Sequence, residues 1–406
     1  VTDRLDATVA HLNRLVGFPT VSADSNLDLI DYIETALAAE GIKARRIADS
    51  SGHKASLLAT IGPAGRPGIV LSAHTDVVPA GEANWSSPPF TASLRDQRVY
   101  GRGSCDMKGF IACVLAHVED LKRMASATPV HIALSYDEEV GCRGAPDLVA
   151  AVVQLEVRPA LCIVGEPTSL KPVTAHKGKV ARHITIKGLT GHSALPHRAA
   201  NAVTAAARIV SLIDDIAQDC ALRASPLSPF DPPYTTVHVG SLHGGSALNL
   251  VPDRAVIEFE IRYLPDTDVA ALLRRIEAGI DDQRARLRRS APEADITSED
   301  MASYPGLATA GDEPALAIVA EITHGEARRE TVSFGTEAGL YSAAGIPTIV
   351  CGPGNMDRAH KANEWIGLDE LAATNRMIER LAHKLGQPIA EWLNSPIKTL
   401  HSTSRQ

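Results

Sequence analysis

The 406-residue chain sets 40 Lys and Arg against 48 Asp and Glu, a formal net charge of −8, which favours solubility and argues against nucleic acid as its main partner. Its hydrophobic share of 45% suits two or three domains with their own cores, built from Ala, Val, Leu and Ile because aromatics make up only 4%. No apolar stretch reaches membrane-spanning length, the N-terminal segment lacks a secretory pattern, and the six cysteines form no CxxC pair, so the expectation is a reduced, cytoplasmic protein that engages no membrane.

In chain order, Leu5, Val9, Leu12, Leu15 and Val16 mark one face of a helix over 3–16, and the same period over 27–40 stops at Gly41. Short apolar runs follow at 56–61, 69–74, 130–136, 160–166 and 347–352, with helix-like pieces at 109–122 and 147–156. Strands alternating with helices predict an α/β domain around a mostly parallel sheet covered on both faces. Near residue 178 the texture changes. Apolar and polar residues alternate at 182–188, 235–242 and 255–264, helices are expected at 201–216 and 268–287, and a last strand near Ile296. That order predicts a smaller two-layer α+β domain of ferredoxin-like type, inserted at 178–293. The first domain then comprises 1–177 and 294–406 and ends in a polar tail, SPIKTLHSTSRQ.

Polar residues gather where the apolar strands end. His74 and Asp76 follow the run at 69–74, Asp137, Glu138 and Glu139 follow the run at 130–136, and Glu166 ends the run at 160–166. In an open α/β sheet this edge is where ligands bind. An imidazole binds a borderline metal and a nearby carboxylate orients its ring, although HxD alone is more often incidental. Consecutive acids after a buried strand repel one another, and cations relieve that repulsion. They also permit a division of labour in which one acid binds metal and its neighbour acts as base. Asp106 lies in a glycine-rich turn, YGRGSCDMKG, that lacks phosphate-loop spacing, and His360 follows the loop GPGNMDRAH. His192 and Asn249, in the inserted domain, suit hydrogen bonding to an oxyanion or a carboxylate, or else simple turn stabilisation.

The ordered series SAHTDVVP, WSSPPF, YGRGSCDMKG, DEEVG, GEPTS, AHKGKV, GHSALP, GGSALNLVP, GTEAG and GPG…AH resembles the M20 metallopeptidase family, and within it the acetylornithine deacetylase branch. The resemblance implies a catalytic domain with two divalent metal ions, zinc by family habit with cobalt as an alternative, and a smaller lid or dimerisation domain. Matched residue by residue, His74, Asp106 and Glu166 fall on one metal and Asp106, Glu139 and His360 on the other, with Asp106 shared. Glu138 takes the position of the general base, Asp76 that of the support for His74, and His192 that of the oxyanion-stabilising histidine. Asn249, Arg262, Gly335 and Thr336 fall at substrate-binding positions. The implied activity is hydrolysis of N2-acetyl-L-ornithine to acetate and L-ornithine in arginine biosynthesis, by a homodimer paired through the inserted domain. Succinyl-diaminopimelate desuccinylase, other N-acyl-amino-acid amidohydrolases and an inactive metal-binding homologue are the competing readings.

Overall fold

A computed structural model describes residues 2–81, 84–309 and 313–393; the polar tail read at 395–406 lies outside them. The chain divides into two compact units, one of Val1–Ala175, Leu307–Glu330 and Thr336–Gln406, the other of His176–Gly306 and Thr331–Gly335.

Among the described residues the larger unit is organised by one extended sheet. Its centre is parallel. Val130–Ser135 lies beside Ile69–His74, which lies beside Leu161–Pro167, which lies beside Thr348–Gly352. Ala55–Ile61 joins Val130–Ser135 antiparallel, and Ala44–Ala48 joins Ala55–Ile61 in the same sense. The sheet is therefore mixed, with its parallel strands in the middle. Every residue of these four central strands is buried, which is why they read as unbroken apolar runs rather than alternating ones.

Helix Gly109–Ala116 is buried along its whole length and packs against helices Thr2–Val16 and Leu368–Lys384. The sheet meets it closely at Gly165, where an added Cβ would lie 2.2 Å from the Phe110 ring. Helix Leu27–Ala39 ends as its sequence indicates, with Gly41 at φ +71°, a conformation that costs glycine nothing. Among the described residues no helix is long and apolar enough to cross a membrane, and the six cysteines are buried and free.

The smaller unit pairs four strands antiparallel in the order Thr236–Gly244, Arg254–Tyr263, Gly178–Lys187, Asp295–Tyr304. Burial alternates along Arg254–Tyr263, so one face of the sheet is covered. Helix Ala202–Leu222 covers it through Ala205, Ile209, Ile213 and Ile216, and helix Val269–Arg288 through Leu272, Ile276 and Ile280. Both helices start on a side-chain cap. Asn201 Oδ1 accepts from the Thr204 N–H at 2.9 Å, and Asp268 Oδ1 from the Ala271 N–H at 2.9 Å, each stabilising its first turn by ~1 kcal/mol. The unit runs past residue 293, the boundary read from the sequence, because Asp295–Tyr304 completes this sheet against Gly178–Lys187.

One buried group ties the larger unit's stability to pH. His131 is 1% exposed; its Nδ1 meets Thr60 Oγ1 at 2.9 Å and its Nε2 has no partner. Burial pushes its pKa down from 6.5 to about 4. Above pH 6.5 folded and unfolded rings are both neutral. Below it the unfolded chain takes up a proton that the folded chain refuses, so stability falls with pH until about 4. Replacing His131 with Gln is expected to shrink the loss of unfolding free energy between pH 7 and pH 5 by ~2 kcal/mol. Urea unfolding of both proteins at the two pH values measures this, and equal losses would mean the ring is not held neutral.

Candidate metal centre

His74 ends a central strand, and its ring is fixed from behind. Nδ1 lies 2.9 Å from the Asp76 backbone oxygen and 3.5 Å from Asp76 Oδ1. An Nδ1–H donated there leaves the Nε2 lone pair of a neutral ring pointing the other way. Nε2 faces Asp106 Oδ1 at 3.0 Å and Glu166 Oε1 at 3.8 Å. A lone pair aimed at carboxylates is repulsive unless the ring is protonated or a cation lies between them.

Asp106 has a second imidazole on its other oxygen. Its Oδ2 lies 3.2 Å from His360 Nε2, which is also 3.1 Å from Glu139. Potential ligand atoms of His74, Asp106 and Glu139 lie within 4.8 Å of one another, as do those of His74, Glu138 and Glu166. These are two adjoining clusters of metal-ligand type, sharing His74 and set in the same buried space. They fit a dinuclear divalent centre in the chemistry of their donors, mixed imidazole and carboxylate.

Electrostatics point the same way. Burial pushes the carboxyl groups of Glu138, Glu139 and Glu166 above their usual range, and the charge of Asp106 raises each further. Burial also works against the Asp106 carboxylate, but hydrogen bonds from His360 and His74 outweigh it and hold Asp106 low. Those contacts, with Asp106 first and Glu139 second, lift His360 to about 10. Burial alone would lower His74, yet its bonds to Asp106 and Asp76 hold it well above its ordinary value. Without metal the cluster is a set of mutually repelling acids that recruits protons onto its histidines. Divalent cations supply the same compensation.

The three acids of YDEEVG separate in role. Asp137, at φ +54°, turns away to pair with Lys54 Nζ at 2.6 Å. The backbone N–H groups of Glu138 and Glu139 instead donate to Asp76 Oδ1 and Oδ2, at 3.0 and 3.3 Å. Ser22 Oγ also donates to Asp76, at 2.7 Å. Asp76 therefore joins the His74 strand end to the Glu138–Glu139 turn. The Cys142 thiol reaches Glu138 Oε1 at 3.5 Å.

The remaining sequence-derived positions fall elsewhere. Thr336 is buried in the larger unit, where its Oγ1 accepts the Ala338 N–H at 3.0 Å. In the smaller unit, His192 and Asn249 are exposed and come together, because Gly191–His192 pairs with Leu250–Val251 and the Ser193 N–H donates to the Asn249 backbone oxygen at 3.1 Å. Arg262 and Gly335 meet around a different residue, Tyr304. Arg262 Nη1 donates to its hydroxyl at 3.2 Å, and an added Cβ on Gly335 would lie 2.3 Å from its ring. Arg262 Nε also donates to Glu260 at 3.1 Å.

Sequence reading passed over two buried acids in the larger unit. Glu337, inside GTEAG, accepts from Ser72 Oγ and Ser135 Oγ at 2.6 and 2.5 Å. Glu364, four residues after His360, accepts from the turn that carries Asp106. The only sequence signal for Glu364 is an acid placed directly before the apolar pair Trp365–Ile366.

The profile of Peptidase family M20/M25/M40 matches residues 70–384. An acetylornithine deacetylase of Myxococcus xanthus is 35% identical over 395 residues, covering 95% of this chain and 100% of that protein. One from Edwardsiella ictaluri is 31% identical over 401 residues, with 95% and 99% covered. Among solved structures, an M20 family metallo-carboxypeptidase of Sulfolobus solfataricus superposes with a TM-score of 0.72 at 18% identity, covering 93% of this chain and 99% of its own. A dinuclear metal-binding M20 peptidase of Bacillus subtilis superposes at 0.62 and 16% identity, covering 96% and 100%. The last two similarities concern the fold.

Asp106 lies between both imidazoles, and on the ligand sets that the family resemblance implies, with Asp106 shared, its loss is expected to weaken both metal positions at once. Asp106→Ala should retain fewer than one ion per chain after dialysis where the unaltered protein retains two, as read by elemental analysis. Retention of both ions would mean that Asp106 does not join the two positions.

Proposed function

The chain belongs to peptidase family M20/M25/M40, and we propose that within this family it hydrolyses the amide bond of N2-acetyl-L-ornithine to acetate and L-ornithine. At the coarser level it is a dinuclear metal-dependent amidohydrolase of small acylated amino-acid or peptide substrates. The acetylornithine reading is supported by the 35% identity that extends over the full length of the Myxococcus xanthus relative. Zinc is the proposed metal, with cobalt chemically acceptable to the same donors. We place the enzyme in the cytoplasm as a homodimer paired through the smaller unit.

His74, Asp106 and Glu166 would hold one ion, and Asp106, Glu139 and His360 the other. When bound, the ions supply Lewis-acid polarisation of the scissile carbonyl and of the attacking water. Asp76 fixes the His74 tautomer from its backbone oxygen and holds the Glu138–Glu139 turn with its carboxylate. Glu138 is the general base. It takes the proton of the attacking water and delivers it to the leaving amine nitrogen. Its side chain is buried within the cluster, where solvent competes little for that proton.

His192 is the proposed oxyanion donor. Its Nδ1 accepts the Ala194 N–H at 3.1 Å, so a neutral ring carries its proton on Nε2, the nitrogen available to donate. Arg262 is the proposed partner of the substrate carboxylate, with Asn249, Gly335 and Thr336 completing the substrate contacts. Glu260, already on the Arg262 guanidinium, would exchange with that carboxylate.

Glu138→Gln keeps the size and removes the base. It should bind two ions per chain and lose ~100- to ~10,000-fold in kcat, read from single-substrate kinetics alongside metal analysis; near-normal turnover would remove Glu138 from the base role. The substrate assignment is tested by measuring kcat/KM on N2-acetyl-L-ornithine and N-succinyl-diaminopimelate with zinc-loaded protein. Acetylornithine should be the better substrate. A preference for the succinylated compound would sink the substrate assignment and leave the metal centre standing.

A further inference from the structure

Asp106 is not on a strand. It sits in a turn from Gly101 to Lys108 whose backbone departs from regular helix at Asp106 and Met107. Gly103 adopts φ +80°, and a Cβ there would lie 2.6 Å from Val77 Cγ1. Such a turn has several N–H groups with no helical or strand partner, and each must find an acceptor.

Glu364 is that acceptor. It is 1% exposed. Oε1 accepts the N–H groups of Cys105 and Asp106 at 2.8 and 3.0 Å. Oε2 accepts the Gly103 N–H at 2.9 Å and the buried Arg102 Nη1 at 2.9 Å. The Glu364 backbone oxygen takes the Gly101 N–H at 2.9 Å. All four partners of the carboxylate are donors, and only an acceptor without hydrogens satisfies them. A glutamine cannot, because either orientation of its amide aims an NH2 at two N–H donors. Glu364 also follows His360 by only four residues, so the same side chain fastens the Asp106 turn to the segment that delivers the second imidazole.

We infer that Glu364 is a positioning residue of the metal centre: its carboxylate forms the Asp106 turn before metal binds and locks that turn to the His360 segment. This rests on the reading of Asp106 and His360 as ligands. Metal ligands held by a fixed outer hydrogen-bond set bind their ion more tightly, and loss of such a set typically lowers affinity ~10- to ~100-fold.

Two measurements on the full chain test it. Hydrogen exchange by mass spectrometry on the unaltered, metal-free protein should find the amides of 103–106 protected before any metal is added. Fast exchange there that slows only on adding cobalt(II) would overturn the inference, since the ion and not Glu364 would then order the turn. In the second, metal-free Glu364→Gln is titrated with cobalt(II) and followed by visible absorption. At least one of its cobalt sites should weaken ~10- to ~100-fold, with a changed absorption envelope. A folded variant that takes up both ions as the unaltered protein does would overturn it. If the variant fails to fold, the exchange measurement on the unaltered protein still decides. Failure of the unaltered protein to take up two cobalt ions would instead sink the ligand reading itself, and the clamp with it.

Discussion

Mutual repulsion among buried carboxylates is the constraint around which the larger unit is arranged. Asp76, Asp106, Glu138 and Glu166 are buried, and Glu139 nearly so. Removing such charges from water costs several kcal/mol each even after relaxation. Among the described residues the nearby basic side chains offset this only in part: buried Lys108 feels the charge of Asp76 but gives its Nζ to the Phe18 backbone oxygen. Lys54 is committed to Asp137, and Arg102 to Glu364. In direct contact with these acids stand His74 and His360, both driven toward their protonated forms by the acids around them. A cluster built this way is completed by cations. The chemistry then follows, because cations that neutralise these acids also polarise a carbonyl and a water.

Holding mutually repelling groups in place requires a rigid frame, and two different devices provide it. The first is the parallel centre of the sheet. His74 and Glu166 are carried at the ends of neighbouring strands whose every residue is buried, so their positions are set by packing on both faces. The second is a set of acids that accept hydrogen bonds from the segments carrying the clustered residues. Asp76 gathers Ser22, His74 and the Glu138–Glu139 turn, and Glu364 gathers the turn of Asp106. An ionised carboxylate accepting several N–H groups makes strong bonds and fixes direction. These acids accept from backbone N–H groups and a hydroxyl, whereas oxygens of Asp106, Glu139 and Glu166 face the imidazole Nε2 atoms.

The smaller unit obeys a simpler rule. Its sheet is covered by two amphipathic helices and shows alternating burial. The short ribbon of Gly191–His192 and Leu250–Val251, buried at Val251 and exposed at His192 and Leu250, carries His192 beside Asn249.

The sequence by itself determined the elements and the kind of chemistry. Apolar runs of strand length, the stop at Gly41, the alternation at 182–188 and 255–264, and acids and histidines at strand exits are all local patterns. Local backbone preference and burial enforce them. It did not determine the sense of the outer strands of the large sheet, nor that the smaller unit runs past residue 293 to Gly306, since pairing is a choice among distant partners. Only the tertiary structure decided that Asp106 turns one oxygen to each imidazole, that His74 is held through Nδ1, and that Asp137 leaves the cluster for Lys54 while its neighbours stay. Glu364 is the clearest case. Its partners lie about 260 residues away along the chain, and no local period records which distant N–H groups a buried carboxylate will meet. That is fixed only when the fold closes and every buried donor must find an acceptor.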